Sequence, residues 1–299
     1  LPLVTTSPAS VSTLLRRHAL ETPDRVAVID ATESLTFSEL DRAVSGVATR
    51  IRSERSGADD RWLPIIVDRG IASLIGVVGA VRAGVRYSPV SSDLPPTRVA
   101  ELLGRLGDPE LVMVGHAAFG ALLPATVRSV SVDDALGAPD TGDGPIDLTS
   151  LAMAVFTSGS TGHPKCVLRT WEVFDRSIDD QLELGPVSDA ADWVWGGVQP
   201  LTFGGSRTLA TLALGGTVAV LDASAQSSGA FLDLLHRLRV NETSLVPTLA
   251  RSLVEAAGGR RRLPHLRRVL LGGEPVDASI IEPLRSLVAP DAEMLHEFG

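Results

Sequence analysis

Thr157-Ser158-Gly159-Ser160-Thr161-Gly162-His163-Pro164-Lys165 stands directly after an apolar run at residues 151–156. A buried strand that opens into a Gly/Ser/Thr loop and ends on a cation has the chemistry of a phosphate-binding loop. Thr157, Ser158, Ser160 and Thr161 supply hydroxyl donors. Gly159 and Gly162 let the backbone come close to a ligand. Successive backbone N–H groups in such a loop form a concavity for anions, and Lys165 adds a charge-assisted contact to a phosphate or carboxylate oxygen. The Gly-x4-Gly-Lys-Ser/Thr spacing of a Walker loop is absent. So is Gly-x-Ser-x-Gly, which argues against an esterase nucleophile elbow. Lys165 is the only lysine among 27 cationic residues, the rest being arginine. A background so rich in arginine that retains one lysine points to a need for a compact ammonium charge rather than a planar fork.

Outward from the loop, strands alternate with helices on both sides. Before it, the pattern predicts a helix over 11–20, a strand over 26–30, and a helix start at Thr36 or Ser38 followed by Leu40, Val44, Val47 and Ile51 on one face. A buried strand at 63–67, a helix at 71–82 and a strand at 87–90 follow. Beyond the loop, helices over 171–182, 207–214, 229–238 and 249–257 alternate with strands near 193–198, 216–221, 244–246 and 268–271. This alternation predicts an α/β fold of two packed lobes with mostly parallel sheets flanked by helices. The Gly/Pro/Asp-rich segment 133–147 is the expected link. It puts a first lobe at 1–145 and a second at 146–299, the latter carrying the phosphate loop.

Composition narrows the class. The chain has 299 residues, 44% of them hydrophobic, enough for a full core. A formal charge of −9 argues against a nucleic-acid or membrane-surface binder. The single Cys166 excludes an internal disulfide framework. Residues 1–10 lack a basic segment followed by an apolar one, and the apolar stretch near 71–81 is too short to span a bilayer. A cytoplasmic protein is expected. His18, His116, His163, His236, His265 and His296 show no metal-ligand spacing, and no metal ligand is assigned within the chain. Arg260, Arg261, Arg262, Arg267 and Arg268 read as a solvated loop or helix end. Trp193 and Trp195 read as core residues on one strand face.

The loop Thr157–Lys165 resembles the signature loop of adenylate-forming enzymes, which include acyl-CoA synthetases, luciferases and the adenylation domains of nonribosomal peptide synthetases. Leu35-Thr36-Phe37-Ser38-Glu39-Leu40, Thr22-Pro23-Asp24-Arg25-Val26-Ala27-Val28 and the run from Val81 to Val90 are most similar to the peptide-synthetase branch. The resemblance implies that Thr157, Ser158, Gly159, Ser160, Thr161, Gly162 and Lys165 hold the phosphates of ATP. Cys166 departs from the usual glycine. Gly273, Glu274 and Pro275 would flank adenine, with Phe298 and Gly299 in place of the family's Tyr-Gly pair and the Phe298 ring stacking on the base. Phe203, Gly204, Gly205, Thr208, Ser244, Leu270, Gly272 and Glu297 would line the acid pocket.

The resemblance further implies ATP with Mg2+, an acyl-AMP product, and transfer to the phosphopantetheine thiol of a carrier protein. An accessory protein of the MbtH-like kind binds some relatives. Gly204 stands where the family places an aspartate for the substrate's α-amino group. Burying an unpaired ammonium costs on the order of several kcal/mol, so an acid other than an ordinary α-amino acid is expected. The family's magnesium-holding glutamate, ribose-binding aspartate and mobile C-terminal domain with its catalytic lysine would lie beyond residue 299. No catalytic residue is therefore assigned here, and these 299 residues by themselves are expected to adenylate poorly. A catalytically silent adenylation-like scaffold and an acyl-CoA ligase remain as alternatives.

Overall fold

The computed structural model describes residues 8–55, 60–157, 164–203, 205–259 and 263–297. Helix α1 (Pro8–Glu21) leads into β1 (Val26–Ile29) and β2 (Ser34–Thr36). Thr36 caps α2 (Phe37–Glu54): its Oγ1 accepts from Glu39 N at 3.2 Å, and Glu39 Oε2 accepts from Thr36 N at 2.8 Å. That reciprocal box selects Thr36 over Ser38 because it satisfies two donors that the first turn leaves open. There follow β3 (Leu63–Val67), α3 (Ile71–Ala83), β4 (Tyr87–Ser91), α4 (Pro96–Arg105), β5 (Leu111–Val114), β6 (Arg128–Ser131) and the short α5 (Val132–Ala135).

A hairpin of β7 (Leu151–Thr157) and β8 (Lys165–Thr170) brackets the Gly/Ser/Thr loop. Then come α6 (Trp171–Leu184), β9 (Val194–Gly197), α7 (Ser206–Ala213), β10 (Thr217–Val220), α8 (Ser228–Arg237), β11 (Glu242–Leu245) and α9 (Pro247–Ala257). Last are β12 (Arg268–Gly272), α10 (Ile281–Leu287) and β13 (Glu293–Glu297).

The strands form a six-stranded sheet, β6-β5-β3-β4-β7-β8, and a seven-stranded sheet, β13-β12-β11-β9-β10-β1-β2. Every neighbouring pair is parallel except β1–β2 and β7–β8, which are antiparallel. Residue 145 does not divide the sheets. β1 and β2 complete the seven-stranded sheet, whose other strands lie far downstream, and β7 and β8 complete the six-stranded one.

One hydrophobic core runs between the sheets. Buried side chains of α1, α2, α3, α6 and α7 meet there with Ile65, Tyr87 and Met153 of one sheet and Val28, Trp195, Val218 and Leu270 of the other. A second core lies under α8, α9 and α10, against Val269 and Leu271. A third lies under α4, against Ile66, Val90 and Val112. Each sheet is thus covered by helices on both faces, which is why its central strands are buried throughout. Arg82, 1% exposed, ties three helices of the middle layer together. It donates to Ser12 Oγ at 2.8 Å, to Ser45 Oγ at 2.7 Å and to Asp41 Oδ1 at 2.6 Å. No helix among the described residues is long and apolar enough to cross a membrane.

Candidate functional site

The buried stretch Ala152–Val155 fixes β7 in the six-stranded sheet, and Ser88 Oγ supports it by donating to Ala154 O at 2.8 Å. β8 folds back along β7 with Phe156 opposite Cys166 and Thr157 opposite Lys165. The two ends of the predicted phosphate loop are therefore clamped as partners across one strand pair. Lys165 is exposed. Among the described residues its side chain has no recorded hydrogen bond or ion pair. Ser158, Gly159, Ser160, Thr161, Gly162 and His163 lie outside the described residues. Arg105, at the end of α4, donates to Pro164 O at 3.2 Å and so anchors the base of the hairpin. Nothing in the sequence pattern singled out Arg105. The Cys166 thiol is exposed, and partial burial pushes its pKa up, away from a reactive thiolate.

The acid-pocket residues come mainly from the other sheet. Parallel register places Ser244 of β11 beside Leu270 of β12 and Leu295 of β13, with Gly272 beside Glu297. Side chains alternate along a strand, so Ser244, Leu270, Gly272 and Glu297 share one sheet face. Ser244 Oγ donates to Glu297 Oε2 at 3.2 Å, and Gln199 Nε2 donates to Ser244 Oγ at 2.8 Å. Gln199, unnoticed in the sequence, thereby joins the polar group. Gly205 takes a left-handed conformation (φ 63°) at the start of α7, and Thr208, 8% exposed, follows one turn later. Gly204 lies outside the described residues, as does the Phe203 side chain.

Thr208 lines a narrow crevice with Gly197, Gln199, Leu201 and Val218, and with Asp68 and Arg69, which follow β3 of the six-stranded sheet. Arg69 also lies 3.7 Å from Asp222, just beyond β10. The one-turn helix Leu201–Phe203 packs against β4 and β7. The carboxyl ends of both parallel sheets therefore converge on this crevice, where open α/β sheets bind their ligands.

The predicted adenine segment lies at the end of β12. Gly273 has φ 77°, and Gly273, Glu274 and Pro275 are exposed. A Cβ at Gly272 would stand 2.6 Å from Glu297 O, so only glycine lets β12 and β13 approach this closely. Glu274 holds up the local fold, because its Oε2 accepts from Thr248 Oγ1 at 2.6 Å and from Thr248 N at 3.0 Å. This caps α9, and those hydrogen bonds hold the Glu274 carboxyl below its usual range. Phe298 and Gly299 lie outside the described residues.

Beneath the pocket lies a charged cluster that sequence reading missed. Glu242, wholly buried on β11, accepts from Arg207 of α7 at 2.6 and 2.7 Å and from Trp193 Nε1 at 2.8 Å. Arg268 lies 3.6 Å from Glu242, and its Nε donates to Glu293 at 2.7 Å. Arg268 is 7% exposed, which corrects its reading as part of a solvated cluster. It begins a central strand and is drawn inward by two carboxylates. Arg260, Arg261 and Arg262 lie outside the described residues. Burial lowers the Arg207 pKa, opposed by the Glu242 charge. Trp193 and Trp195 are both buried, as expected, and both face the Arg207 guanidinium. Among the described residues, no three His, Cys, Asp or Glu side chains group as metal ligands.

The chain matches the family model described as AMP-binding enzyme over residues 15–299. It is 30% identical over 302 residues to N-(5-amino-5-carboxypentanoyl)-L-cysteinyl-D-valine synthase of Amycolatopsis lactamdurans, an alignment covering 98% of this chain and 8% of that protein. It is 33% identical over 283 residues to the syringomycin synthase SyrB1 of Pseudomonas syringae pv. syringae, covering 89% of this chain and 44% of the relative. The chain therefore spans less than half the length of either relative. The crystal structure of the nonribosomal peptide synthetase FmoA3 in its AMPPNP-bound form superposes with a TM-score of 0.86, covering 100% of this chain and 32% of that one. At 23% identity that likeness bears on the fold alone.

Proposed function

This chain belongs to the AMP-binding enzyme family, and from that premise we propose that it is the nucleotide- and acid-binding core of an enzyme that activates a carboxylic acid as acyl-AMP. One observation carries the reading: the hairpin that sets Lys165 against Thr157 and the polar face of Ser244, Gly272 and Glu297 belong to different sheets whose carboxyl ends converge. A triphosphate held at the hairpin mouth would lie within reach of an acid held on that face.

In this reading the substrate carboxylate attacks the α-phosphate of ATP and pyrophosphate leaves. The Lys165 ammonium, with no recorded protein partner among the described residues, stabilises the charge that builds on the phosphate oxygens. Mg2+ bound with ATP would supply charge neutralisation at the phosphates, and no described residue of this chain is assigned to hold it. Arg105 holds the hairpin base through Pro164. Gly272 lets β12 and β13 approach closely, and Glu274 keeps the start of α9 in place. A carrier-protein thiol then attacks the acyl carbonyl, forming a thioester as the bond to AMP breaks and AMP leaves.

We assign Gly204 the role of excluding ordinary α-amino acids, since it offers no counter-ion where the family has an aspartate. Gly204 also supports a second reading, a catalytically silent module that uses the same fold for binding. ATP–pyrophosphate exchange by the longest natural polypeptide containing this chain separates the two. Pools of α-amino, aryl, α-keto, hydroxy and fatty acids are compared. Exchange driven by a pool other than α-amino acids is expected. Exchange with α-amino acids alone overturns the assignment of Gly204, and silence with every pool from folded protein overturns acid activation.

A further inference from the structure

Trp195 carries a buried donor that nothing among the described residues satisfies. The residue is 3% exposed on β9, and its indole N–H has no hydrogen-bond partner there. Trp193, two positions earlier, does have one in Glu242. Buried indole N–H groups ordinarily find an acceptor, so this one is open to an acceptor from outside the described residues. The Trp195 ring is set by core packing and by the Arg207 guanidinium, 5.9 Å from its centroid. That leaves its N–H free to serve something else.

The space beside it is defined by Gly197, which follows on the same strand face. A Cβ on Gly197 would stand 3.5 Å from Trp195 Nε1, 3.6 Å from Ala219 O and 3.7 Å from Thr208 Oγ1, all ordinary contact distances. Ala219 O is taken up by the β9–β10 ladder, so the Trp195 donor and the Thr208 hydroxyl, which can donate or accept, are the groups left facing that space. Gly197 and Thr208 also line the crevice between the sheets, where about 20 Å³ is free, room for one small polar group.

We propose that this end of the crevice is a subsite for a hydroxyl on the tail of the activated acid, with Trp195 as its specificity-determining donor. The substrate hydroxyl accepts from Trp195 Nε1 and donates to Thr208 Oγ1. An apolar tail leaves the indole unpaired. An ammonium meets an N–H donor with the Arg207 guanidinium nearby. A hydroxyl both accepts from the indole and donates to Thr208. The inference rests on the acid-activating reading and narrows it to hydroxylated acids.

The test is ATP–pyrophosphate exchange by the longest natural polypeptide containing this chain, with acids paired to differ by one hydroxyl. Suitable pairs are 4-hydroxybenzoate and benzoate, 3-hydroxybutyrate and butyrate, and 4-hydroxyphenylpyruvate and phenylpyruvate. The wild type is expected to favour the hydroxylated member of its best pair by at least about tenfold in kcat/KM, because a site built around a hydrogen bond rejects the analogue lacking it. Trp195→Phe keeps the ring and deletes the donor, so the ratio within the pair falls toward one through loss on the hydroxylated acid. Gly197→Ala fills the space and abolishes the preference, and it decides the matter if Trp195→Phe fails to fold.

Exchange that ignores the hydroxyl in every pair, as a resident water in the space would give, overturns the subsite and leaves acid activation standing. So does a preference that survives both substitutions. Silence with every acid from folded protein overturns both.

Discussion

Glu242 shows how a single residue can decide the floor of the site. With Glu242 wholly buried between Arg207, Arg268 and Trp193, its loss leaves the buried Arg207 guanidinium without a carboxylate, while Arg268 keeps Glu293. Removing one partner from a buried ion pair costs about 3–5 kcal/mol, far more than the pair contributes over an apolar replacement. Glu242→Ala is therefore predicted to lower stability by about that amount, read from the denaturant midpoint. A shift within experimental error would mean that the cluster is dispensable.

Asp175 on α6 makes a prediction in pH. Burial, and then the neighbouring Asp179 charge, push its pKa up to about 7. The unfolded chain releases this proton near the ordinary value of 3.8, so between there and about 7 the folded chain binds more protons than the unfolded one. This contribution to stability is complete at the acid end and is lost as pH rises through 7. Asp175→Asn is expected to flatten that part of the pH–stability profile. An unchanged slope in the variant would assign the effect elsewhere. Lys165 stands out in the sequence by its uniqueness and by the loop around it. Glu242 does not, because a carboxylate opening a buried strand looks like loop sequence until Arg207, 35 positions earlier, is seen to meet it.

Helices and strands were readable where burial runs deep on a regular period. β3 spans the expected residues, and α3, β4, α6 and α7 depart from their expected ranges by one or two positions at an end. β5 escaped although three of its four residues are buried, but most of the other missed elements share a physical cause. α4 buries only Val99, Leu102 and Leu103 of its ten residues, and β6 has two exposed positions in four. β13, Glu-Met-Leu-His-Glu, has no fully buried position and depends on register with β12 to become a strand at all. β8 is an exposed edge whose pairing with β7 sequence alone did not suggest. A tight contact between α2 and α3 gives a direct prediction. A Cβ on Gly79 of α3 would come within 2.4 Å of Val47 Cγ1 and 2.9 Å of Val47 Cβ on α2. Alanine gains about 1 kcal/mol in helix propensity over glycine, but overpacking costs about 1–3 kcal/mol, and a β-branched neighbour cannot swing aside. Gly79→Ala should therefore lower the thermal midpoint. A rise would show that the α2–α3 crossing relaxes easily.

At the scale of the whole molecule, the expected α/β class with mostly parallel sheets is present, and the lobes are joined by one core through a shared helical layer. Linear reading could not assign β1 and β2 to a sheet whose other strands begin more than 150 residues later, since hydropathy carries no information about partners at that range. The same limit hid Gln199 and Trp195, whose importance comes from what faces them. What the topology achieves is convergence: the segments that follow β3 of one sheet and β9 of the other line one crevice.

The central claim is that Lys165 at the hairpin mouth serves the phosphates of a nucleotide that activates an acid. Acid-dependent ATP–pyrophosphate exchange, compared between the longest natural polypeptide and its Lys165→Ala variant, tests it most directly. Removing a preorganised charge from a transition state typically costs about 10²–10³ in rate, so a loss of that order is predicted while the thermal midpoint, for a side chain this exposed, stays put. Exchange that persists at the wild-type rate in the folded variant would contradict the account.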